Sequence, residues 1–409
     1  MAEADHVKHL PVAFSNFQGF TMQKKLIALA IGSLAGISGA AFAQSNVTVY
    51  GLADATFDFI STSGPTGTTR GAPDYNRVQS NGSRLGFKGT ESLGNGMSAF
   101  FQYETAVSLD NGAGGSLFAS ARDSFVGIKS EFGAVKLGYF SGPNRELAGK
   151  LDVVIHSDGV GENSALLGKL GGRGKYFDDR YANSIAYISP NFSGFEATLQ
   201  YQANENKVSA SPGLNTSLLE LGLTYNNGPV FLGLAHGKLK EKNDPAVVDP
   251  ITSAAYKPTF NLGNQEDATE TRLGGMYTFG DASVRAIYTR TKANGSTGDL
   301  KQNVWGLGGT YKVTPNGKLL AQYYKANDLS GNLGGADLSK TGAKFWVLGY
   351  EHSLSKRTTL LAHYAYLKND DRTSAVAGGK GFDFGDGKTG IAGSGVKLSG
   401  LSIGLNHTF

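Results

Sequence analysis

The feature that most constrains this sequence is a two-residue alternation of apolar and polar side chains, repeated in segments of about ten residues. In the last segment Leu401, Ile403, Leu405 and Phe409 alternate with small or polar residues. Gly, Asn, Asp, Ser or Pro ends each segment, and no long segment has the 3.6-residue apolar period of an amphipathic helix. The pattern predicts an all-β fold.

Sixteen such segments follow residue 44, and the connections between them alternate in length. The strands are predicted to begin near Val47, Arg77, Gly96, Ser120, Ala134, Ala182, Gly194, Thr216, Pro229, Thr269, Ala282, Gln302, Gly317, Lys340, Arg357 and Gly395. The short connections are 91–95, 131–133, 189–193, 226–228, 279–281, 314–316 and 354–356, and the longest are 141–181, 240–268 and 368–394. This alternation is typical of an antiparallel sheet that crosses a membrane repeatedly, with tight periplasmic turns and long outer loops.

Such a sheet must close into a barrel, because lipid offers no partner to the backbone groups of a strand edge. A barrel of sixteen strands is too wide for side chains to fill, so its polar inner face would line water. The alternative is a soluble β-sandwich, which would not show the short and long alternation across seven repeats. The sequence therefore favours a 16-stranded antiparallel transmembrane β-barrel.

The N-terminus has the three parts of a secretory signal peptide. Lys24 and Lys25 form a positive region, residues 26–37 form a short apolar run, and 41–43 read Ala-Phe-Ala before Gln44. The run is too short to be a transmembrane helix, which needs about 20 apolar residues. We predict an extension at 1–21 that precedes the signal, a signal peptide at 22–43, and a barrel at 44–409 that carries a net charge of +3, since removing 1–43 takes three lysines and two acids from a +4 chain.

Composition and motifs give no support for a catalytic site. The chain has no cysteine, and its seven histidines show no metal-ligand spacing, so we predict no metal and no cofactor. The segment 385–390, Gly-Asp-Gly-Lys-Thr-Gly, lacks the first glycine of a phosphate loop because Phe382 stands there. The small net charge argues against a nucleic-acid partner.

Five stretches in order resemble the general trimeric porins of Gram-negative outer membranes, closest to the betaproteobacterial and neisserial type. They are VTVYGLADATFDF (47–59), SRLGFKGTESLGNGMSAFFQYE (83–104), ARDSFVGIKSEFGAVKLGYF (121–140), NSIAYISPNFSGFEATLQY (183–201) and LSIGLNHTF (401–409). The resemblance implies a homotrimer of sixteen-stranded barrels in the outer membrane, in which the third loop, 141–181, folds into the lumen and forms the constriction. It also implies contacts with outer-membrane lipid and lipopolysaccharide.

The same resemblance implies a charged constriction between the barrel wall and the third loop. The predicted basic wall residues are Arg84, Lys88, Arg122, Arg173 and Arg180, and the predicted acidic loop residues are Asp152, Asp158 and Glu162. Tyr139 departs from the family pattern, because it replaces a common arginine. The aromatic Phe409 is expected to be read by the barrel-insertion machinery.

These features predict passive diffusion of small hydrophilic solutes and ions through a water-filled pore. The basic wall and the net charge of the mature chain suggest a mild preference for anions. Two alternatives stay open: a substrate-specific channel for an anion or a sugar, and, less favoured, an outer-membrane barrel enzyme whose catalytic residues meet only in space.

Overall fold

The computed structural model describes residues 46–64, 74–110, 121–155, 159–172, 176–203, 215–242, 265–295, 298–371, 381–385 and 393–409. The predicted signal peptide and the extension before it lie outside these residues, so both stay predictions. Most of the glycine-rich segment 385–390 lies outside them too.

The described chain forms one antiparallel sheet of eighteen strand segments and one helix of more than two turns. The strands are β1 (Asn46–Ser63), β2 (Tyr75–Ser80), β3 (Arg84–Gly94), β4 (Met97–Ala106), β5 (Ser124–Ser130), β6 (Gly133–Ser141), β7 (Arg180–Ile188), β8 (Phe195–Gln202), β9 (Asn215–Asn227), β10 (Val230–Lys242), β11 (Gln265–Phe279), β12 (Ala282–Gly295), β13 (Gly298–Lys312), β14 (Gly317–Ala326), β15 (Ser330–Leu333), β16 (Ala343–Ser353), β17 (Thr358–Asn369) and β18 (Lys397–Thr408). The helix α1 is Pro143–Leu151.

These segments make a closed barrel of sixteen strands. β2 and β3 both pair with β1, and β14 and β15 both pair with β13, so each of these pairs is one interrupted barrel strand. The barrel closes where β18 pairs with β1, from Leu52 opposite Thr408 to Ser63 opposite Lys397. The predicted fold is confirmed, and every barrel strand begins within four residues of its predicted start.

Short turns and long connections lie at opposite edges of the barrel. The start of β1 is paired with the end of β3, next to the turn that joins β3 to β4, and the end of β18 is paired with the first half of β1. Both ends of the described barrel therefore lie at the short-turn edge. One connection at the opposite edge is also short. β12 ends at 295 and β13 begins at 298, so only residues 296–297 separate these two strands.

The outer face of the barrel is apolar. Leu232, Leu273, Leu307, Leu348 and Ile403 are each more than half exposed and point outward. Exposed aromatic residues concentrate near the short-turn edge, as expected for a membrane-spanning barrel, whose aromatic girdles lie at the membrane interfaces. They include Phe132, Tyr187, Phe195, Tyr277, Phe279, Tyr311, Tyr350 and Phe409. In the described residues, no helix combines the length and hydropathy needed to cross a bilayer.

The inner face is polar on one side of the barrel and apolar on the other. On β1, the buried inward residues are Asp54, Thr56 and Asp58. On β10–β18 the inward residues include Phe231, Ile287 and Phe345, and they form a core with residues of the segment 142–179, which follows β6. The predicted polar inner face is therefore correct for only part of the wall, because the inserted segment needs an apolar surface to pack on.

Candidate pore-lining site

Helix α1 lies flat on the inner wall and turns its polar side to the lumen. Proline at its first position suits a helix start. Pro143, Asn144, Leu147, Ala148 and Leu151 are buried, at the spacing of one helical face. The other face carries Arg145, Glu146 and Lys150.

Glycines on the wall strands make room for this close packing. A Cβ on Gly222 would lie 2.8 Å from Pro143 Cβ, and one on Gly274 would overlap Leu151 Cδ1. Gly233 similarly leaves space for Leu147. The helix therefore docks on β9, β10 and β11 at positions where a side chain would push it away.

A buried polar network fixes the first turn of α1 to the wall. Glu220 Oε2 accepts hydrogen bonds from the backbone N–H of Asn144 at 2.9 Å and from its side-chain amide at 3.0 Å. Arg272 is fully buried and donates to Glu270 at 2.8 Å and to the carbonyl of Asn144 at 2.6 Å. Arg272 also pairs with Asp178, near the end of the inserted segment, at 3.4 Å. Both ends of the segment are thus tied to β11.

Inward glutamines hold the rest of the segment. Gln322 accepts a hydrogen bond from the backbone N–H of Val153 at 3.3 Å and donates to the carbonyl of Gly161 at 2.7 Å. Gln302 accepts from the backbone N–H of Gly171 at 2.8 Å. These bonds satisfy backbone groups that the irregular segment cannot pair within itself.

The polar wall carries a cluster of arginines around one carboxylate. Arg84 on β3 and Arg122, just before β5, both pair with Glu104 on β4, with Nε–O distances of 3.7 and 2.6 Å. The Tyr50 hydroxyl donates to the same carboxylate at 3.0 Å. The positive charges of Arg84 and Arg180 repel that of Arg122. The arginines are held in place by Glu104, but they outnumber it.

A second cluster continues the wall at the start of β7. Arg180 pairs with Asp123, which also accepts hydrogen bonds from the backbone N–H and the hydroxyl of Ser141 at 3.3 and 3.2 Å. The Lys136 ammonium lies 4.8 Å from the ring centre of Phe125 and 4.1 Å from that of Phe140. Lys136 thus adds a positive charge three residues before Tyr139. Tyr139 is the position at which the family pattern has a common arginine that this chain lacks.

Glu146 on α1 is the helix carboxylate that faces this wall. It interacts electrostatically with Asp123, Lys136 and Arg145. Its pKa is raised, first because the surrounding protein withdraws it from bulk water and then because Asp123 is negatively charged. Its side chain is nevertheless accessible to lumen water. Exposure within a confined space is the environment expected of a residue beside a narrow aqueous passage.

The other predicted residues have different surroundings. Lys88 points inward and is exposed, with its ammonium 4.9 Å from the ring centre of Tyr50. Asp152 is buried; its carboxylate accepts hydrogen bonds from the backbone N–H groups of Val154 and Asn163 at 3.1 and 2.7 Å, and burial raises its pKa to about 6. Glu162 is half-buried and accepts a hydrogen bond from Ser164 at 2.7 Å. Asp158 and Arg173 lie outside the described residues, and the role of all these residues in a constriction stays a prediction.

Sequence reasoning missed Glu104, Asp123, Lys136 and Glu146. Strand alternation could have placed Glu104 on the inner face, since it lies opposite Gly86 and shares that face with Arg84. The sequence also indicates the helix that carries Glu146. Proline at the first helical position, here Pro143, followed by an acidic residue in the first turn is typical of a helix N-terminus. Within the described ranges, no group of three or more His, Cys, Asp or Glu side chains is arranged to hold a metal ion.

Comparison with known proteins gives one consistent result. Residues 28–372 match the Gram-negative porin family. Outer membrane porin protein 32 of Delftia acidovorans is 31% identical over 398 residues, which cover 95% of this chain and 100% of that protein. The major outer membrane protein P.IB of Neisseria sicca is 28% identical, covering 87% of this chain and 98% of the relative. The solved structure of an anion-selective porin from Comamonas acidovorans superposes with a TM-score of 0.68 at 27% identity, covering 90% of this chain and 100% of that one.

Proposed function

The chain belongs to the Gram-negative porin family and forms a channel in the bacterial outer membrane, and we propose that its constriction lies between α1 and the arginine wall. The observation that carries this proposal is that the inserted segment places the polar face of α1, with Glu146, across from Lys136 and Asp123. The predicted basic residues Arg84, Arg122 and Arg180 belong to this wall.

Passage through such a pore is passive diffusion and needs no catalytic group. The charges that line it are held by partners: Glu104 holds Arg84 and Arg122, and Asp123 holds Arg180. Fixed charges in a narrow channel orient a passing solute, because water screens them less there than in bulk solvent. The pore therefore discriminates by charge and size rather than by binding one substrate.

The preferred solutes are small anions. In the two arginine clusters, Arg84, Arg122, Lys136 and Arg180 outnumber Glu104 and Asp123. The structural relative with 27% identity is an anion-selective porin, which supports the same preference for this chain. An excess of positive charge on one side of the pore raises the local concentration of anions and lowers that of cations.

The functional unit is a homotrimer. The sequence resembles the trimeric porins, and one solved protein of the same fold, OmpT of Vibrio cholerae, is described in a trimer form. Mass measurement of the detergent-solubilised protein by light scattering tests this assembly. A monomer that retains full channel activity would contradict it.

Planar-bilayer recording of the purified protein tests the proposed function. We expect ohmic single-channel steps and a zero-current potential that favours chloride over potassium in a salt gradient. Saturating, concentration-dependent block by one sugar or one organic anion would instead indicate a substrate-specific channel. Absence of conductance from folded, inserted protein would contradict the pore itself.

A further inference from the structure

Two phenylalanines lie on the inner wall between the arginine clusters and the short-turn edge. Phe100 on β4 and Phe125 on β5 are both half-buried. Phe100 is four residues from Glu104 along β4, towards the turn that joins β3 to β4. The inner wall of a wide membrane barrel is ordinarily polar, so two large apolar rings beside the pore are exceptions to that pattern. We call Phe100 and Phe125 the phenylalanine pair.

Both rings of the phenylalanine pair face the lumen. Gly127 of β5 is buried, while its neighbours Val126 and Ile128 are exposed on the outer face. Successive residues of a strand point to opposite faces, so Gly127 faces inward, as does Phe125 two residues before it. A Cβ on Gly127 would overlap the Phe100 ring, which therefore lies across this glycine. The glycine accounts for one side of the Phe100 ring, and the exposed part of the ring reaches lumen water.

The two rings form a corner with a positive charge beside it. Their centroids are 6.0 Å apart and their planes cross at 72°, which is the edge-to-face arrangement that aromatic rings prefer. The Lys136 ammonium lies 4.8 Å from the Phe125 centroid. Lys88 adds a second ammonium to the same row of the wall, because it is paired with Gln102, and Gln102 is paired with Phe125. An aromatic surface and cationic groups thus meet next to the constriction.

We propose that the phenylalanine pair is a weak contact site for aromatic carboxylates, with Lys136 selecting the anion. The ring of such a solute would pack in the corner between Phe100 and Phe125, while its carboxylate would lie near the Lys136 ammonium. A neutral aromatic solute lacks the second contact, and an aliphatic carboxylate lacks the first. The inference rests on the proposed function, since a solute reaches this wall only through an anion-selective pore, and it names the class of organic anion that the pore passes best.

A weak contact at this position should raise permeation rather than stop it. Conduction requires binding that is favourable enough for entry and weak enough for release. One aromatic pair contributes a factor of roughly two to ten to an equilibrium constant. A factor of this size concentrates the solute beside the constriction without trapping it. The site therefore favours a class of anions without holding any one of them, in agreement with a pore that discriminates by charge and size.

Two anions of equal charge and similar size separate the aromatic contact from the charge of the wall. Benzoate and cyclohexanecarboxylate each carry one carboxylate on a six-membered carbon ring, but only benzoate is aromatic. Zero-current potentials would be measured across a planar bilayer with the potassium salt of either carboxylate on one side and potassium chloride on the other. We expect the parent channel to be at least about threefold more permeable to benzoate than to cyclohexanecarboxylate.

Exchange of both phenylalanines for leucine tests the assignment. F100L/F125L keeps apolar side chains at both positions and removes the rings, so the permeability ratio of benzoate to cyclohexanecarboxylate should fall to about one. Phe100→Leu alone leaves Phe125 on the wall and should give an intermediate ratio, which keeps the test available if the double variant does not assemble. F192L/F195L is the matched control. It makes the same change at two positions that are each more than half exposed, in and beside a short turn, and it should keep the ratio of the parent.

A pair of cations tests the role of Lys136. Benzylammonium and cyclohexylmethylammonium differ in aromaticity as the two carboxylates do, but they carry a positive charge. Their permeability ratio in the parent should be close to one, because the Lys136 ammonium repels a cation from the phenylalanine pair. A preference for the aromatic cation as strong as that for benzoate would overturn the assignment of the site to anions.

The failure of this inference can be distinguished from that of the proposed function. Equal permeability of the parent to benzoate and cyclohexanecarboxylate would overturn the inference, as would the parent's ratio in both F100L/F125L and Phe100→Leu. Either result would leave the pore and its anion preference intact, because a potassium chloride gradient alone measures these. A folded, inserted parent that conducts no ions would contradict the proposed function and the inference with it.

Discussion

At the scale of single residues, Glu146 is the water-accessible carboxylate of α1 whose charge should respond to pH. Its pKa is raised above the ordinary 4.5, so on acidification it takes up a proton at a higher pH than a free glutamate does. Protonation removes a negative charge from the lumen. We therefore predict that the anion preference of the parent channel rises as the pH is lowered towards 5.

The variant Glu146→Gln separates this effect from general titration. It should show at pH 7 the higher anion preference that the parent reaches only in acid, and its own preference should change less with pH. Glu131→Gln, in an exposed short turn, is the matched control and should follow the parent. Parallel pH profiles of zero-current potential for the parent and Glu146→Gln would show that Glu146 does not face the permeation path.

At the scale of secondary-structure elements, α1 depends on one buried arginine for its position. Arg272→Met would leave Glu270 and Asp178 without their buried partner, which costs roughly 3–5 kcal/mol. The barrel strands are held by their own hydrogen bonds, so we expect the inserted segment to detach while the barrel persists. Limited trypsin digestion should then cut at Arg145 or Lys150. In a separate bilayer recording, the variant should show a noisier single-channel current than the parent.

Arg290→Met is the control for this prediction, because it makes the same change at an exposed outer position of the adjacent strand β12. It should be as protease-resistant as the parent. If the Arg272→Met segment resists trypsin as well as the parent segment does, the buried network is not what holds α1.

The closing seam between β1 and β18 is a second element with a specific requirement. Phe409 exchanges backbone hydrogen bonds with Gly51 at 3.1 and 3.2 Å, and a Cβ on Gly51 would overlap the Phe409 ring. Gly51→Ala should therefore displace the ring and destabilise the seam by roughly 1–3 kcal/mol. Urea-induced unfolding measures this loss; Ala53→Ser, at a neighbouring half-buried position of β1, should have a smaller effect. Equal midpoints for Gly51→Ala and the parent would contradict the seam argument.

At the scale of the whole molecule, the barrel could be predicted from sequence because its information is local and repeated. Outward leucines at every second position and a turn after each segment specify strand number and register together. The inserted segment could not be predicted in the same way. Its anchors, such as Glu220 to Asn144 and Gln322 to Gly161, join residues 76 and 161 positions apart, and no periodicity links them.

The same reason explains which site residues were predicted. Arg84 and Arg122 lie in motifs that resemble the porin family, and it is this resemblance that predicts them at the constriction wall. A loop has no period to show where its side chains point. Asp152, one of the carboxylates predicted from the loop, accepts hydrogen bonds from backbone N–H groups of its own segment. The helix residue Glu146 was missed because α1 is only nine residues long and its start signal is brief.

The central claim, that Arg84 and Arg122 line the constriction opposite α1, is tested most directly by ion selectivity. Zero-current potentials would be measured in a potassium chloride gradient at low salt for Arg84→Gln, Arg122→Gln and the outer-face control Arg290→Gln. We predict that both wall variants shift towards cations, that the shift shrinks at 1 M salt, where the Debye length is about 3 Å, and that the control matches the parent. If both wall variants keep the parent's selectivity at low salt, the arginine cluster does not line the constriction.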